Sequence, residues 1–74
     1  MKDIDYKLIG IRVKEARILM GISQEQLSWD TNLSASYISL IETGKKKPSL
    51  GSLLRISNTL GITIDELLSV LESA

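Results

Sequence analysis

The feature that most constrains the fold is a signal for the start of a helix, which occurs five times along the chain. At each site an apolar residue or a proline precedes a short polar residue, and a second apolar residue follows five positions after the first. The pairs are Ile4-Asp5, Ile22-Ser23, Leu33-Ser34, Pro48-Ser49 and Ile62-Thr63. The polar side chain can accept from free backbone N–H groups, while the two apolar residues pack together. Five such signals predict five helices.

The expected helix ends are marked by residues that tolerate the left-handed backbone conformation. These residues are Gly21, Asn32, Gly44 and Gly61. Starts and ends together predict helices over residues 6–20, 24–31, 35–43, 50–60 and 64–72. No segment of useful length alternates apolar and polar residues as a strand does. We therefore predict an all-α fold, with residues 1–74 forming a single domain.

Each predicted helix carries apolar residues at spacings of three and four, which is the pattern of a face that packs into a core. The stripes are Ile9, Val13, Ala16 and Met20; Leu27 and Thr31; Ile38 and Ile41; Leu53, Leu54, Ile56 and Leu60; and Ile64, Leu67, Leu68 and Leu71. Because burial is the usual role of such residues, we interpret them as core residues rather than site residues.

The chain contains neither cysteine nor histidine. Zinc fingers, disulfides, Cys–His nucleophiles and Ser–His–Asp triads are therefore excluded, and we predict no enzyme activity, metal or cofactor. The first residues lack the pattern of a signal peptide, and no apolar run approaches the ~20 residues of a membrane span. We expect a cytoplasmic protein.

The net charge is zero, so the chain as a whole does not attract the phosphates of nucleic acid. The charges are nevertheless segregated along the sequence. Residues 44–55 contain Lys45, Lys46, Lys47 and Arg55 and no acidic residue. In residues 22–43, by contrast, every charged residue is acidic. A basic segment thus follows directly after the third predicted helix.

The second and third predicted helices form a short unit, because only Asn32-Leu33-Ser34 separates them. In a helix-turn-helix the first helix lies across the DNA backbone and the second enters the major groove. Residues 24–43 fit that geometry. Helix pairs with short turns are common in proteins, so the spacing alone does not establish the function.

Several motifs in the expected order carry a resemblance to a known family. The start SQEQL of the second helix, the passage YISLIETGKKKPSL and the closing LGITIDELL resemble the Cro and phage-repressor type of helix-turn-helix domain, also called the xenobiotic-response-element family. The resemblance covers about residues 8–69. It implies a five-helix domain that binds double-stranded DNA as a homodimer on a palindromic operator and regulates transcription. No small-molecule effector is evident.

The third helix is the predicted reading helix. Steps of about 100° per residue from its two inward isoleucines turn Ser36, Ser39, Leu40 and Thr43 away from the core, with Ala35 at the exposed leading end. Hydroxyls can bond to base edges, and apolar groups can meet a thymine methyl. We predict base contacts by Ala35, Ser36, Ser39 and Leu40; in similar proteins the positions of Ala35, Ser36 and Leu40 read bases. The alternative is that the serines are only solvated.

Residues flanking this face are predicted to contact the DNA backbone. Gln24 opens the second helix, where an amide donor beside free N–H groups suits a phosphate, and similar proteins use this position in that way. The lysines after the third helix would bind phosphates without reading sequence, although a loop of three lysines is often only a solvated surface. The predicted set is Ser23, Gln24, Tyr37, Thr43, Lys45, Lys46 and Lys47.

Two charged residues, Arg17 and Glu42, lie near the inner sides of their helices. In similar proteins the matching positions form a buried ion pair between the first and third helices, so we predict a structural role. The resemblance also implies dimerisation through the last helix, with Leu67, Val70 and Leu71 as candidates. Apolar residues at Trp29, Ile11 and Ile18 indicate either a further interface or a surface covered by terminal residues.

The predicted reading face departs from the family pattern, because it carries no Arg, Gln or Asn. Strong bidentate recognition of guanine or adenine is therefore absent, and specificity would depend on weaker contacts, thymine methyls and DNA shape. This neutral face favours one alternative function, a protein-interaction or antitoxin-like module in which the helix pair is only a scaffold.

Overall fold

A computed structural model of the chain describes residues 4–68. Within them five helices follow one another: α1 (Tyr6–Leu19), α2 (Gln24–Thr31), α3 (Ala35–Glu42), α4 (Leu50–Leu60) and α5 (Ile64–Leu68). None of these residues lies in a strand, and no helix among them is long and apolar enough to cross a membrane. The predicted bounds of the first four helices are correct to one residue. The predicted end of the fifth helix, at residue 72, lies outside the described residues.

The predicted start signals form hydrogen bonds at the helix starts. Backbone N–H groups of the first turns donate to the side chains of Asp5, Ser23, Ser34 and Ser49 over 3.0–3.2 Å. Thr63 and Glu66 form a reciprocal capping box before α5, with two N–H···O bonds of 3.0 Å. The backbone φ of 59° at Asn32 ends α2 in the left-handed conformation that the sequence predicts there.

Among residues 4–68, the core consists of nine buried apolar residues contributed by all five helices: Ile9, Val13, Leu27, Ile38, Ile41, Leu53, Ile56, Leu60 and Leu67. The short helix α3 lies in contact with both α1 and α2, while α4 and α5 pack against α1 and close the core. Thr31 is also buried, and its hydroxyl donates to the carbonyl oxygen of Leu27 over 2.6 Å.

Two expectations about packing are wrong. Met20 is 50% exposed because α1 ends before it, at Leu19, and Leu54 is 45% exposed because its neighbour Leu53 occupies the inward side of α4. Unlike Thr63 and Glu66, Ser23 and Gln26 do not form a complete capping box. The backbone N–H of Gln26 donates to the serine, but the Gln26 amide donates to Asp30 over 3.1 Å instead.

A glycine in α1 determines how closely the first and third helices approach. A Cβ atom on Gly10 would lie 2.8 Å from the carbonyl oxygen of Glu42 and even closer to that of Ile41. No other residue fits there without moving backbone atoms. The C-terminal end of α3 is therefore held directly against the surface of α1.

Candidate nucleic-acid interface

The side of α3 that faces solvent carries the four residues predicted to contact bases. Ser36 is exposed, Ala35 and Ser39 are half-buried, and Leu40 is 39% exposed, whereas Ile38 and Ile41 on the opposite side are buried. Among the described residues, no hydrogen bond occupies the hydroxyl groups of Ser36 and Ser39. The face thus offers two free hydroxyls and the apolar side chains of Ala35 and Leu40, and its contact with bases stays a prediction.

Two other hydroxyl groups, those of Ser23 and Thr43, belong to residues predicted to contact the DNA backbone. The side chain of Ser23 caps α2 by accepting from the N–H of Gln26 over 3.0 Å, which leaves its own O–H free to donate to a phosphate. Thr43 follows the last residue of α3, and its hydroxyl donates back to the carbonyl oxygen of Ser39 over 3.0 Å. Thr43 can therefore accept a hydrogen bond but has no free donor for a phosphate in this conformation.

Tyr37 connects α3 to the start of α4 instead of offering its hydroxyl to DNA. The phenol donates to Oγ of Ser52 over 3.1 Å and accepts from the backbone N–H of Ser49 over 3.3 Å. Burial raises the pKa of Tyr37, but these hydrogen bonds and the positive charge of Lys46 outweigh it and hold the pKa below its ordinary value. With its only donor in use, the predicted phosphate contact of Tyr37 has no support in this geometry.

Glu42 is the centre of a buried polar network. Arg17 donates to both carboxylate oxygens, with Nε 2.7 Å from Oε2 and Nη2 3.1 Å from Oε1, and its Nη1 donates to the carbonyl oxygen of Ile22 over 2.9 Å. The side chain of Glu42 is 1% exposed and that of Arg17 11%. The hydrogen bond to Glu42, together with its negative charge, outweighs desolvation and raises the pKa of Arg17. The expected ion pair between α1 and α3 is thus present.

The network also includes Gln24, which the sequence did not indicate. Its Nε2 atom donates to Oε1 of Glu42 over 3.0 Å. Gln24 was predicted to bind a phosphate, and one amide hydrogen remains for that role beside the N–H groups of the first turn of α2, which have no partner within the helix. The start of α2 is therefore fixed to the end of α3 at the residue that the sequence predicts to bind a phosphate.

The loop after α3 presents three cations to solvent. Lys45, Lys46 and Lys47, here called the lysine loop, are all exposed. The backbone N–H groups of Lys45 and Lys46 both donate to the carbonyl oxygen of Leu40, over 2.9 and 3.2 Å, so the path of the chain out of α3 is defined. The ammonium of Lys47 lies 5.4 Å from the centre of the Tyr6 ring, a contact that no sequence pattern indicates.

A family model described as helix-turn-helix matches residues 13–67, which include α2, α3 and most of the core. The chain belongs to the Cro/C1-type helix-turn-helix family. The control protein C.MunI from a Mycoplasma species is 45% identical over 73 residues, which are 97% of each chain. These findings confirm the predicted family and, with it, the predicted class of DNA-binding transcriptional regulators.

Solved structures confirm the all-α fold of this helix-turn-helix protein. The restriction-modification controller protein C.AhdI from Aeromonas hydrophila is 35% identical with a TM-score of 0.81, covering 85% of this chain and 96% of that one. The P22 c2 repressor in complex with a synthetic operator is 31% identical with a TM-score of 0.79, covering 82% of this chain and 92% of that one.

The predicted dimer contacts of this helix-turn-helix protein need one correction. Leu67 is 0% exposed, because it packs inside the core of its own chain, so it is not available to a second subunit. Val70 and Leu71 lie outside the described residues. Among the described residues Trp29, Ile11 and Ile18 remain 70%, 49% and 57% exposed.

Proposed function

We propose that this chain is a transcriptional regulator of the control-protein kind, which binds a palindromic operator as a dimer and inserts α3 into the major groove. The observation that carries the proposal is the arrangement at α3. Its solvent face is uncharged and free to form hydrogen bonds, and the lysine loop follows at its exit. The similarity to C.MunI over nearly the whole of both chains supports this choice among regulators.

Affinity and selection would come from different parts of this surface. The lysine loop and the first turn of α2 would bind phosphates, which supplies affinity without reading sequence. Ser36, Ser39 and Leu40 would then discriminate among bases. A bidentate contact between a side chain and a base gives about 1–3 kcal/mol of discrimination. This face has no side chain that can form one, so one protomer discriminates weakly among bases. Two α3 helices one DNA turn apart, about 34 Å, would double the free energy of discrimination between sites.

The experiment is a selection of bound fragments from random duplex DNA, followed by affinity measurements on the selected site. We expect a palindromic site and two chains per duplex in analytical ultracentrifugation. In the variant Ser36→Ala, discrimination should fall at one symmetric pair of positions only. The matched variant Lys46→Gln should weaken binding to all sequences alike. An asymmetric site that binds a single chain would contradict the dimer, and uniform weakening by Ser36→Ala would contradict base reading.

A protein-interaction module is the second candidate function, and Trp29 favours it because its side chain is 70% exposed on α2. A salt titration separates the two functions. Binding led by phosphates must weaken steeply between about 50 and about 200 mM salt. If neither random nor selected DNA is bound at about 50 mM salt, the second function replaces the first. Neither proposal includes a catalytic step, and both place the protein in the cytoplasm.

A further inference from the structure

The first turn of α1 lies against the start of the lysine loop. A Cβ atom on Gly44 would lie 2.9 Å from Cα of Lys7 and 2.6 Å from its Cγ, and Gly44 has a φ of +75°, which side-chain-bearing residues rarely adopt. Both facts exclude other residues at this position. The backbone and the aliphatic stem of Lys7 are therefore fixed beside the point where the chain leaves α3.

A second contact joins the same two segments. Tyr6 is half-buried and packs against the core, so its ring is held in place. The ammonium of Lys47 lies 5.4 Å from the centre of this ring, within the range of a cation–π interaction. The last cation of the lysine loop is thus drawn toward the start of α1, where Lys7 lies.

Two acidic groups of the described residues that are close in sequence to this surface already have partners. The carboxylate of Asp5 accepts from the backbone N–H groups of Lys7 and Leu8, over 3.1 and 3.2 Å, and Glu42 is buried with Arg17. Within residues 4–68, no carboxylate lies within ion-pair distance of Lys7 or Lys47. Lys7 and the lysine loop, here called the basic rim, therefore form one positively charged surface built from α1 and the α3–α4 connection.

We propose that Lys7 binds a DNA phosphate beside those bound by the lysine loop, and that Tyr6 positions Lys47 for the same strand. The proposal rests on the proposed function and extends the DNA-binding surface from the helix-turn-helix unit to α1. Phosphate is the expected ligand because the basic rim lies at the exit of α3, away from its leading end. A lysine ammonium is also a point charge that carries no base preference by itself.

The test is the salt dependence of binding to a random-sequence duplex, measured by fluorescence anisotropy between about 50 and about 200 mM salt. Each phosphate contact contributes about 0.9 to the slope of log K against log salt. Over this fourfold range, the wild type should lose about 3.5-fold more affinity per protomer than Lys7→Gln, or about 12-fold more per dimer. Lys7→Arg should restore the wild-type slope.

The matched control is Arg55→Gln, which removes one positive charge elsewhere. The guanidinium of Arg55 bonds to the carbonyl oxygen of Thr31 at the far end of α2, so this variant should keep the wild-type slope. A slope unchanged by Lys7→Gln, or changed equally by Arg55→Gln, would overturn the proposal. Absence of wild-type binding at about 50 mM salt would instead reject the proposed function itself. A thermal melt first shows that each variant is folded.

A double-mutant cycle tests the role of Tyr6. Tyr6→Leu removes the ring but keeps an apolar side chain, and it should weaken binding by about 2- to 5-fold. In a Lys47→Gln background the same change should have no further effect, because the cation that the ring holds is gone. Tyr6→Phe keeps the ring face and should bind as the wild type does. Equal losses in both backgrounds would show that Tyr6 supports only the fold.

Discussion

Replacing Glu42 with alanine removes the carboxylate that joins the reading helix to two other parts of the chain. The variant loses two hydrogen bonds from Arg17, of 2.7 and 3.1 Å, and one from Gln24, of 3.0 Å. Arg17 keeps only its bond to the carbonyl oxygen of Ile22 and is left charged with its side chain 11% exposed. Breaking such a buried pair on one side costs about 3–5 kcal/mol. Since Arg17 keeps some contact with water, we expect about 3 kcal/mol.

Thermal and urea unfolding followed by circular dichroism measure this loss. For a domain of this size, 1 kcal/mol changes Tm by about 4–8 °C, so Glu42→Ala should melt about 12–24 °C below the parent. The control is Glu15→Ala, an exposed carboxylate on α1, which should stay within about 0.5 kcal/mol. The double variant Arg17→Met/Glu42→Leu should regain most of the stability, because no charge is left buried. A Glu42→Ala melt within a degree or two of the parent would refute the reasoning.

Three further outcomes follow from the contacts. Gly10→Ala should destabilise the fold by about 1–3 kcal/mol, because its Cβ meets carbonyl oxygens at the end of α3. Gly51→Ala in α4 should instead stabilise the fold by about 0.5–1 kcal/mol, because no atom lies nearer than 4.0 Å to the added Cβ. Equal melting temperatures of the two variants would contradict this. Tyr37→Phe should cost about 1–2 kcal/mol in a urea melt and leave the operator sequence unchanged, since the lost hydroxyl bonds only Ser49 and Ser52. Because the pKa of Arg17 is raised above its ordinary value, the stability that its charge contributes is fully present below the ordinary arginine pKa and is lost only as the pH rises through the raised one, so a melt at mildly alkaline pH should match one at neutral pH.

The fold could be predicted closely because its signals are local. A cap such as Ser34 and the N–H group that it accepts from are three residues apart, so the start of α3 is determined within one turn of the chain. A left-handed residue such as Asn32 ends a helix in the same local way. Periodicity was less accurate, because it states only which residues share a face. Leu54 lies beside the inward face of α4, and whether it is buried depends on how far the neighbouring helices extend.

The solvent face of α3 was predictable for the same reason, whereas the hydrogen-bond partners of the neighbouring residues were not. The direction of Ser36 relative to Ile38 follows from helix geometry alone. The bond from Gln24 to Glu42 joins residues 18 positions apart, and that from Tyr37 to Ser52 joins residues 15 apart. Such pairs form only once the helices are packed, so residue types and spacing do not reveal them. The ion pair between Arg17 and Glu42 could be predicted only from the family resemblance, because the residues alone do not show that these two side chains meet.

The proposed function requires an uncharged face to read DNA, and the way in which α3 is held supports that proposal. α3 is fixed near its beginning by the cap of Ser34 and at its end by Glu42, which bonds α1 and α2, and by the close approach of Gly10. A helix held in this way would lose little conformational freedom on binding, so the weak contacts proposed for Ser36 and Leu40 would not be offset by an ordering cost. The basic rim would then supply most of the affinity and the uncharged face most of the selection. Added positive charge on the basic rim should therefore raise the affinity for all DNA sequences alike. The ratio of specific to non-specific affinity at a given salt concentration should fall only if the α3 contacts are disturbed.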